Sequence, residues 1–429
     1  MFKRKWSALP ADPHFPSDLK ELGYFVNEDD EVRSIENPDY YFKFFINRNQ
    51  RWNERQRFAM NADALRSIIH ARLESLGLQK TFLPLGVGVS PSPSNPHLPI
   101  YTSRALASKP RLVLLFGETT QDLGVLAHRV VSGRGGIDAG SMVSVARALL
   151  SPSSSSSSPG LILANTGELL WSAREGRTLS RAAFGSARMA SAAHAGNLLP
   201  SEGECVPGNR DAAQHVRCVF EDVVARLAGP AATLDLVAVG DAADLVAEYL
   251  DHSAAWQRWG PRVKCFAIVG GMRAVQDVRC DGFRRFLRER ARAYVPSPEP
   301  AGTPLSGADG NPRTATFTAH GCPVFSSGEP HHVECGLVAG REVVIDWLQE
   351  VADGGVAYRN PDFVVMYADP DGGGGDLPDP DWSRWEREYE KKKEEEEEEE
   401  KKKMEKMEKG SDDKFVVRVD TLSDSEDED

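Results

Sequence analysis

The chain has 429 residues, of which 41% are apolar and 27% charged, with 37 Gly and 27 Pro; this excludes a collagen-like, coiled-coil or wholly disordered protein and leaves room for one large α/β domain or two to three smaller ones. The net charge is −13, but 376–429 hold 23 acidic and 12 basic side chains, whereas 1–375 hold 41 acidic against 39 basic. A nearly neutral body has no global positive field for nucleic acid, so any such contact needs a local patch.

Residues 22–48 read as a small sheet-forming unit. Tyr24–Val26 and Val32–Ile35 flank the turn Asn27-Glu28-Asp29-Asp30, which predicts a hairpin, and the aromatic run Tyr40 to Phe45 follows. So many adjacent rings are hard to leave wet, so the run is expected in the core, although with Arg48, Arg51 and Trp52 it could also stack bases. Over 50–76, apolar residues at helical spacing from Trp52 to Leu73 predict a helix ended by Gly77. Residues 84–99 read as a Pro/Ser/Gly-rich loop. Short apolar runs at 111–117, 161–164, 234–240 and 263–269 predict strands buried on both faces. Helices are expected at 141–150, 211–228, 242–250, 280–294 and 343–351, with 185–210 loop-like. Linkers are expected at 151–160, around a serine tract that can bury nothing, and at 296–312; Thr314–Thr318 and Pro323–Phe325 are further strand candidates. Strands alternating with helices imply right-handed crossovers and a mainly parallel sheet. The reading is a small hairpin-and-helix unit at 1–76, an α/β domain at 77–370, and at 371–429 a linker, a Glu/Lys-rich helix-prone segment and a disordered acidic tail.

Six scattered cysteines lack a C-x-x-C pair, and no apolar run follows the basic N-terminus. Nor does any window approach the roughly 20 apolar residues of a membrane helix, so the expectation is a reducing intracellular compartment without membrane contact. Glycine-rich nucleotide fingerprints are missing, and no cofactor is expected. His320, Cys322, His331, His332 and Cys335 lie close in sequence but lack a standard zinc spacing, so no metal is expected.

The strand–turn–helix at 234–251 is where an α/β-hydrolase keeps its nucleophile elbow. There Asp241 takes the nucleophile's place, and His331 or His332 is the only late histidine to complete a triad, with His320 behind. Val239 crowds such an elbow, and Glu118 after the first parallel strand would oppose a developing oxyanion. Asp241 therefore reads as a helix cap, with the hydrolase as the alternative. Arg284, Arg285, Arg288 and Arg292 form a basic stripe that is either a solvated helix face or a phosphate-tracking patch. In the tail, the β-prone Val416, Val417 and Val419 precede an acidic run, as in SUMO-interacting segments, and Ser423 and Ser425 precede acids, as in substrates of acidophilic kinases.

The blocks WSALPADPHFPSDLKELGYFVNEDDEVRSI, NPDYYFKFFINRNQRWNERQRF, GSMVSVARALL, LILANTGELLW, LVAVGDAADLVAEYL, FLRERARAYVPSPEPAGTPLSGADGNP and CPVFSSGEP resemble the fungal argonaute-binding domain family across about 2–367. That family includes a subunit of a small-RNA chaperone complex and the C-terminal domain of fungal class II histone deacetylases. The resemblance implies an α/β-hydrolase-like, mainly parallel sheet with helices on both faces. It also implies an argonaute-type partner with small RNA reached through it, chromatin-silencing factors, and work in RNA interference and heterochromatin formation in nucleus and cytoplasm. A histone-deacetylase-associated chromatin adaptor is a variant of that reading. Animal relatives keep a serine at the elbow and a His before Gly117, where this chain has Asp241 and Phe116, which implies a pseudoenzyme.

Overall fold

The computed structural model describes residues 8–88, 91–92, 94–151, 158–194, 205–314 and 316–365. The N-terminal hairpin is β1 (Tyr24–Val26) and β2 (Val32–Ser34), antiparallel as its turn residues predict. The main sheet uses β3 (Leu78–Leu83), β4 (Leu98–Ser103), β5 (Arg111–Phe116) and β6 (Gly160–Ala164). A second hairpin, β7 (Leu170–Ser172) and β8 (Arg177–Leu179), stands apart from it. The sheet continues with β9 (Thr233–Val239), β10 (Val263–Val269), β11 (Ala291–Val295), β12 (Pro304–Ser306) and β13 (Val324–Ser326). Its order is β12-β13-β11-β10-β9-β5-β6-β4-β3. The six strands from β13 to β6 are parallel, β4 runs against β6 and β3, and β12 runs against β13.

Alternate residues of the central strands feed two cores. Leu112, Leu114, Phe116, Leu234, Leu236 and Phe266 face one layer, and Val113, Leu115, Val237, Val239, Cys265 and Ala267 face the other. That two-sided burial is why these strands read as continuous apolar runs without a period of two. The longer helices are α1 (50–75), α2 (Met142–Leu150), α3 (212–227), α4 (Asp241–Asp251), α5 (Ser253–Trp259), α6 (Asp281–Arg290) and α7 (Arg341–Gly354). Helices α3, α4, α5 and α6 cover the first face, and α1, α2 and α7 the second. In α7, Val344, Trp347, Leu348 and Val351 recur at helical spacing and are buried, each contributing about 1.5–3 kcal/mol. Asn49, Ser141 and Asp211 cap α1, α2 and α3 through their side chains.

Helices α1 and α3 each change register through a π-helical stretch, at Phe58–Leu65 and Val219–Val224. The N-terminal unit is tied down by charge. Arg72 of α1 bridges Asp30 of the first hairpin and Asp138, and Asp12 takes Arg51, Arg55 and the Met189 N–H.

Several sequence expectations need correction. The predicted helix over 280–294 stops at Arg290, and Ala291–Val295 is strand β11. Ala291–Tyr294 pair with Phe266–Val269 and Val295 with Ser326, and that ladder overrides the helical periodicity. The 296–312 linker carries edge strand β12, and the described residues among 314–318 are not in a strand. The loop expected over 84–99 ends early, because β4 begins at Leu98, and β3 precedes it in a stretch for which no element was expected. The aromatic run divides: Phe42 is buried, but Tyr40 and Phe45 are 65% and 71% exposed. The Glu/Lys segment, the acidic tail and residues 152–157, with most of the serine tract, lie outside the described residues.

Candidate functional site

The sheet order reverses between β5 and β9, because β6 lies beyond β5 and β10 beyond β9. The carboxyl ends of strands at such a reversal form a crevice where α/β proteins place ligands. Two bends meet there: Gly117-Glu118-Thr119 leaving β5, and Gly240-Asp241 leaving β9 into α4.

The strained residue of the second bend is Gly240, with φ +57° and ψ −133°, a region that residues with a Cβ avoid. In a nucleophile elbow the strained residue carries the nucleophile, and the N–H of the next residue lines the oxyanion hole. The elbow therefore registers as Ala238-Val239-Gly240-Asp241-Ala242, with alanines at both positions that must be small. That is one residue earlier than the alignment placing Asp241 at the nucleophile's position, and it removes the objection to Val239. It also leaves the nucleophile's position with no side chain.

Glu118 fills that position. A Cβ built on Gly240 would fall on the Glu118 Oε2 and lie 2.6 Å from its Cδ. The Asp241 N–H donates to Glu118 Oε2 at 3.2 Å. The Thr119 N–H donates to Glu118 Oε1 at 2.8 Å, and the Thr119 hydroxyl does so at 3.1 Å. The two backbone donors that would cradle a developing oxyanion are thus both directed at a carboxylate of the chain itself. Burial pushes the Glu118 carboxyl above its ordinary range and the nearby Asp241 charge adds to this, against the Thr119 and Asp241 hydrogen bonds. The sequence had marked Glu118 as an obstacle to oxyanion chemistry, but not as the filler of the elbow. The pattern small-x-Gly-x-small after a buried strand was the readable signal.

Asp241 is the first residue of α4, exposed, and makes no side-chain cap bond. The capping expectation is corrected to a favourable charge in the first helical turn. Asp244, one turn on, accepts the Met272 and Arg273 N–H groups and pins the loop after β10. His331 and His332 lie after β13, where a late histidine belongs in this fold. Their N–H groups both donate to Glu329, and the His332 Nε2 accepts from Arg129 at 2.7 Å. Among the described residues neither imidazole bonds Asp241 or Glu118. His320 is buried against the Phe317 ring, and burial pushes its imidazole down to about 4. Among the described residues no three His, Cys, Asp or Glu side chains are grouped to hold a metal ion.

Of the basic stripe, Arg284, Arg285 and Arg288 lie on α6, while Arg292 lies on β11. Arg284 is bonded to Asp281 and the Val278 carbonyl, Arg288 to Asp309 and Asp362, and Arg292 to Glu350 and Tyr358; Arg285 is exposed. Val416, Val417, Val419, Ser423 and Ser425 lie outside the described residues. No helix among the described residues is long and apolar enough to cross a membrane.

Taken as β3, β4, β6, β5, β9, β10, β11 and β13, the sheet has the 1-2-4-3-5-6-7-8 order of the α/β-hydrolase fold, with its second strand reversed. The elbow of that fold is present here without a nucleophilic side chain. Within that class, the chain belongs to the Arb2 domain family, the argonaute-binding domain family, whose model matches residues 15–301, from before β1 to beyond β11. Membership points to an argonaute-related function and implies an argonaute-type partner. No curated protein and no solved structure matches the chain.

Proposed function

We propose that the chain is a non-catalytic scaffold in an argonaute small-RNA chaperone complex. Its work is RNA interference and siRNA-dependent heterochromatin formation, in nucleus and cytoplasm. Chromatin-silencing factors are further partners, small RNA reaches the complex through the argonaute, and the acidic tail modulates contacts, with a SUMO-type fold as one acceptor of Val416–Val419. The observation that carries the scaffold reading is the Glu118 carboxylate standing where a nucleophile's side chain would project, on the donors an oxyanion would use. Family membership supports the argonaute part.

The test is affinity purification of the full chain, and of the chain lacking 376–429, read by mass spectrometry. An argonaute-type protein is expected among the specific partners of both, with fewer partners for the truncated chain. Recovering only metabolic enzymes would sink the complex, and a stable adduct on Asp241 after treatment with a mechanism-based hydrolase probe would sink the scaffold.

A further inference from the structure

Of the eight large apolar side chains that stand exposed among the described residues, five lie within 35–52: Ile35, Tyr40, Phe45, Ile46 and Trp52. Single exposed apolar residues are ordinary, but a cluster of them marks a surface made for contact. The part around Phe45 is held in place. Phe42 is buried against Tyr24 at 5.3 Å between ring centroids, and Phe44 packs on Phe42 at 4.8 Å, whereas Lys43 and Phe45, the residue after each, stand outside. Buried Asn53 of α1 then clamps the backbone that follows. Its Oδ1 accepts the Ile46 and Asn47 N–H groups at 2.9 and 3.0 Å, and its Nδ2 donates to the Asn47 carbonyl at 2.8 Å. Beside Asn53 on the helix, the Trp52 ring is set edge-on to Phe15 at 5.9 Å. A buried amide thus fixes Phe45 and Ile46 in water next to Trp52, and groups fixed before contact lose little freedom on binding.

The charges around this face select its partner. Lys43 and Arg48 flank Phe45 and Ile46, and both are exposed and, among the described residues, without a carboxylate partner. Arg51 beside them is already held by Asp12, and Glu54 is turned to Arg55; Glu36 and Asp39 lie beyond Tyr40 in the chain. An occupant therefore offers an apolar cleft to Phe45, Ile46 and Trp52 and sets carboxylates at its rim against Lys43 and Arg48. That is the make-up of a protein interface, with aromatic anchors at the centre and charge at the edge. Single-stranded RNA fits less well. Its bases need ring faces in series along a basic track, whereas here aliphatic Ile46 interrupts the rings and the unpaired cations are only these two.

We propose that the face bearing Phe45, Ile46 and Trp52 docks a protein through an apolar cleft rimmed by carboxylates, and, resting on the function proposed above, that this protein is the argonaute-type partner. The face lies within the residues that the family model matches. In the full chain, Phe45 is replaced by photoreactive benzoylphenylalanine, complexes purified from cells are irradiated, and the adducts are identified by mass spectrometry. The same replacement at Val356, an exposed apolar residue elsewhere on the surface, is the control. Position 45 is expected to crosslink to an argonaute-type protein and position 356 is not, and Lys43→Glu/Arg48→Glu should lower the yield at least about tenfold by setting like charges against the rim. An adduct to one other protein, equally dependent on the two cations, would keep the docking face and refute the argonaute reading. An adduct within the chain or to RNA, none at all, or a yield indifferent to the two charges would overturn the docking face. Phe45→Ala separates the two claims from the other side. It should weaken the recovered complex about thirtyfold, as an anchor residue does, with an unchanged urea midpoint because the ring is exposed. A native chain that holds an argonaute-type protein, and a Phe45→Ala chain that holds it equally well, would leave the function standing and sink this face.

Discussion

Gly240→Ala is the sharpest probe of the elbow. The new methyl would fall on the Glu118 carboxylate, and the backbone at φ +57°, ψ −133° disfavours any residue with a Cβ by about 1–3 kcal/mol. Expelling Glu118 also breaks its bonds from the Asp241 and Thr119 N–H groups. Bonds to a charged group are worth about 1.5–3 kcal/mol, less where water reaches them. The single variant should therefore lose roughly 2–4 kcal/mol, read as a lower urea midpoint with an unchanged slope. In Gly240→Ala/Glu118→Gly the obstacle is gone and only backbone strain remains. The double variant should then be about 1–2 kcal/mol more stable than the sum of the single changes, the signature of two groups competing for one space. A Gly240→Ala cost under about 0.5 kcal/mol, or strict additivity, would refute the claim that Glu118 occupies the nucleophile's place.

Two further predictions concern buried charge. His215 is wholly buried, bonded from Asn165 N–H and to Asn209, and burial pushes it down to about 3, as it pushes His320 to about 4. The folded state therefore binds fewer protons than the unfolded one. The stability from each group is complete above the unfolded value near 6.5 and is lost as pH falls towards the folded value, at about 1.4 kcal/mol per pH unit per histidine. His215→Gln should remove one proton's worth of that slope between pH 6 and 4 in urea titrations; an unchanged slope would contradict its burial as the neutral ring. Asp235 lies in the middle of β9 against Arg111 of β5 at 2.5 Å, and burial pushes its carboxyl up against the pull of Arg111. Asp235→Asn should cost about 3–5 kcal/mol by leaving the guanidinium uncompensated, whereas Asp235→Leu/Arg111→Met should recover most of the loss. A double variant as unstable as the single one would refute the pairing.

The legible parts of the fold were those whose physics is local and repetitive. The runs at β5, β6, β9 and β10 have no period because both faces are covered, and the stripe of α7 has one because only one face is. Where one segment serves two elements, local pattern misled. FRRFLRERARAYV carries helical spacing throughout, yet its last five residues complete the parallel ladder beside β10, which sequence periodicity does not encode. Strands β3 and β4 were hidden because Pro84 and Pro99 sit at their ends and their pairing is antiparallel. The hairpin β7–β8 has strands of three residues, too short to show any period. At the site, the sequence located the elbow within one residue. It could not register it, because Gly240 and Asp241 differ in role only through a backbone angle and the reach of Glu118 from another strand.

The same separation between pattern and pairing bears on RNA. Five arginines within 284–292 look like a phosphate track, but Arg284, Arg288 and Arg292 each have a carboxylate partner, and the Arg292 side chain is only 14% exposed. Arg290 turns inward and donates to the Lys264, Gly355 and Val356 carbonyls. A phosphate would have to displace a carboxylate already held, so little counterion release would follow, and only exposed Arg285 could add a new pair. Single-stranded binding loses about 0.7 in log–log salt slope per phosphate neutralised. The purified chain alone should therefore show a slope of magnitude below about 1 between 50 and 200 mM salt in fluorescence polarisation with a short RNA. A slope near −2 or steeper that disappears in Arg284→Glu/Arg288→Glu would show that the carboxylates yield to phosphate, and RNA would then be held by the scaffold itself instead of through its argonaute-type partner.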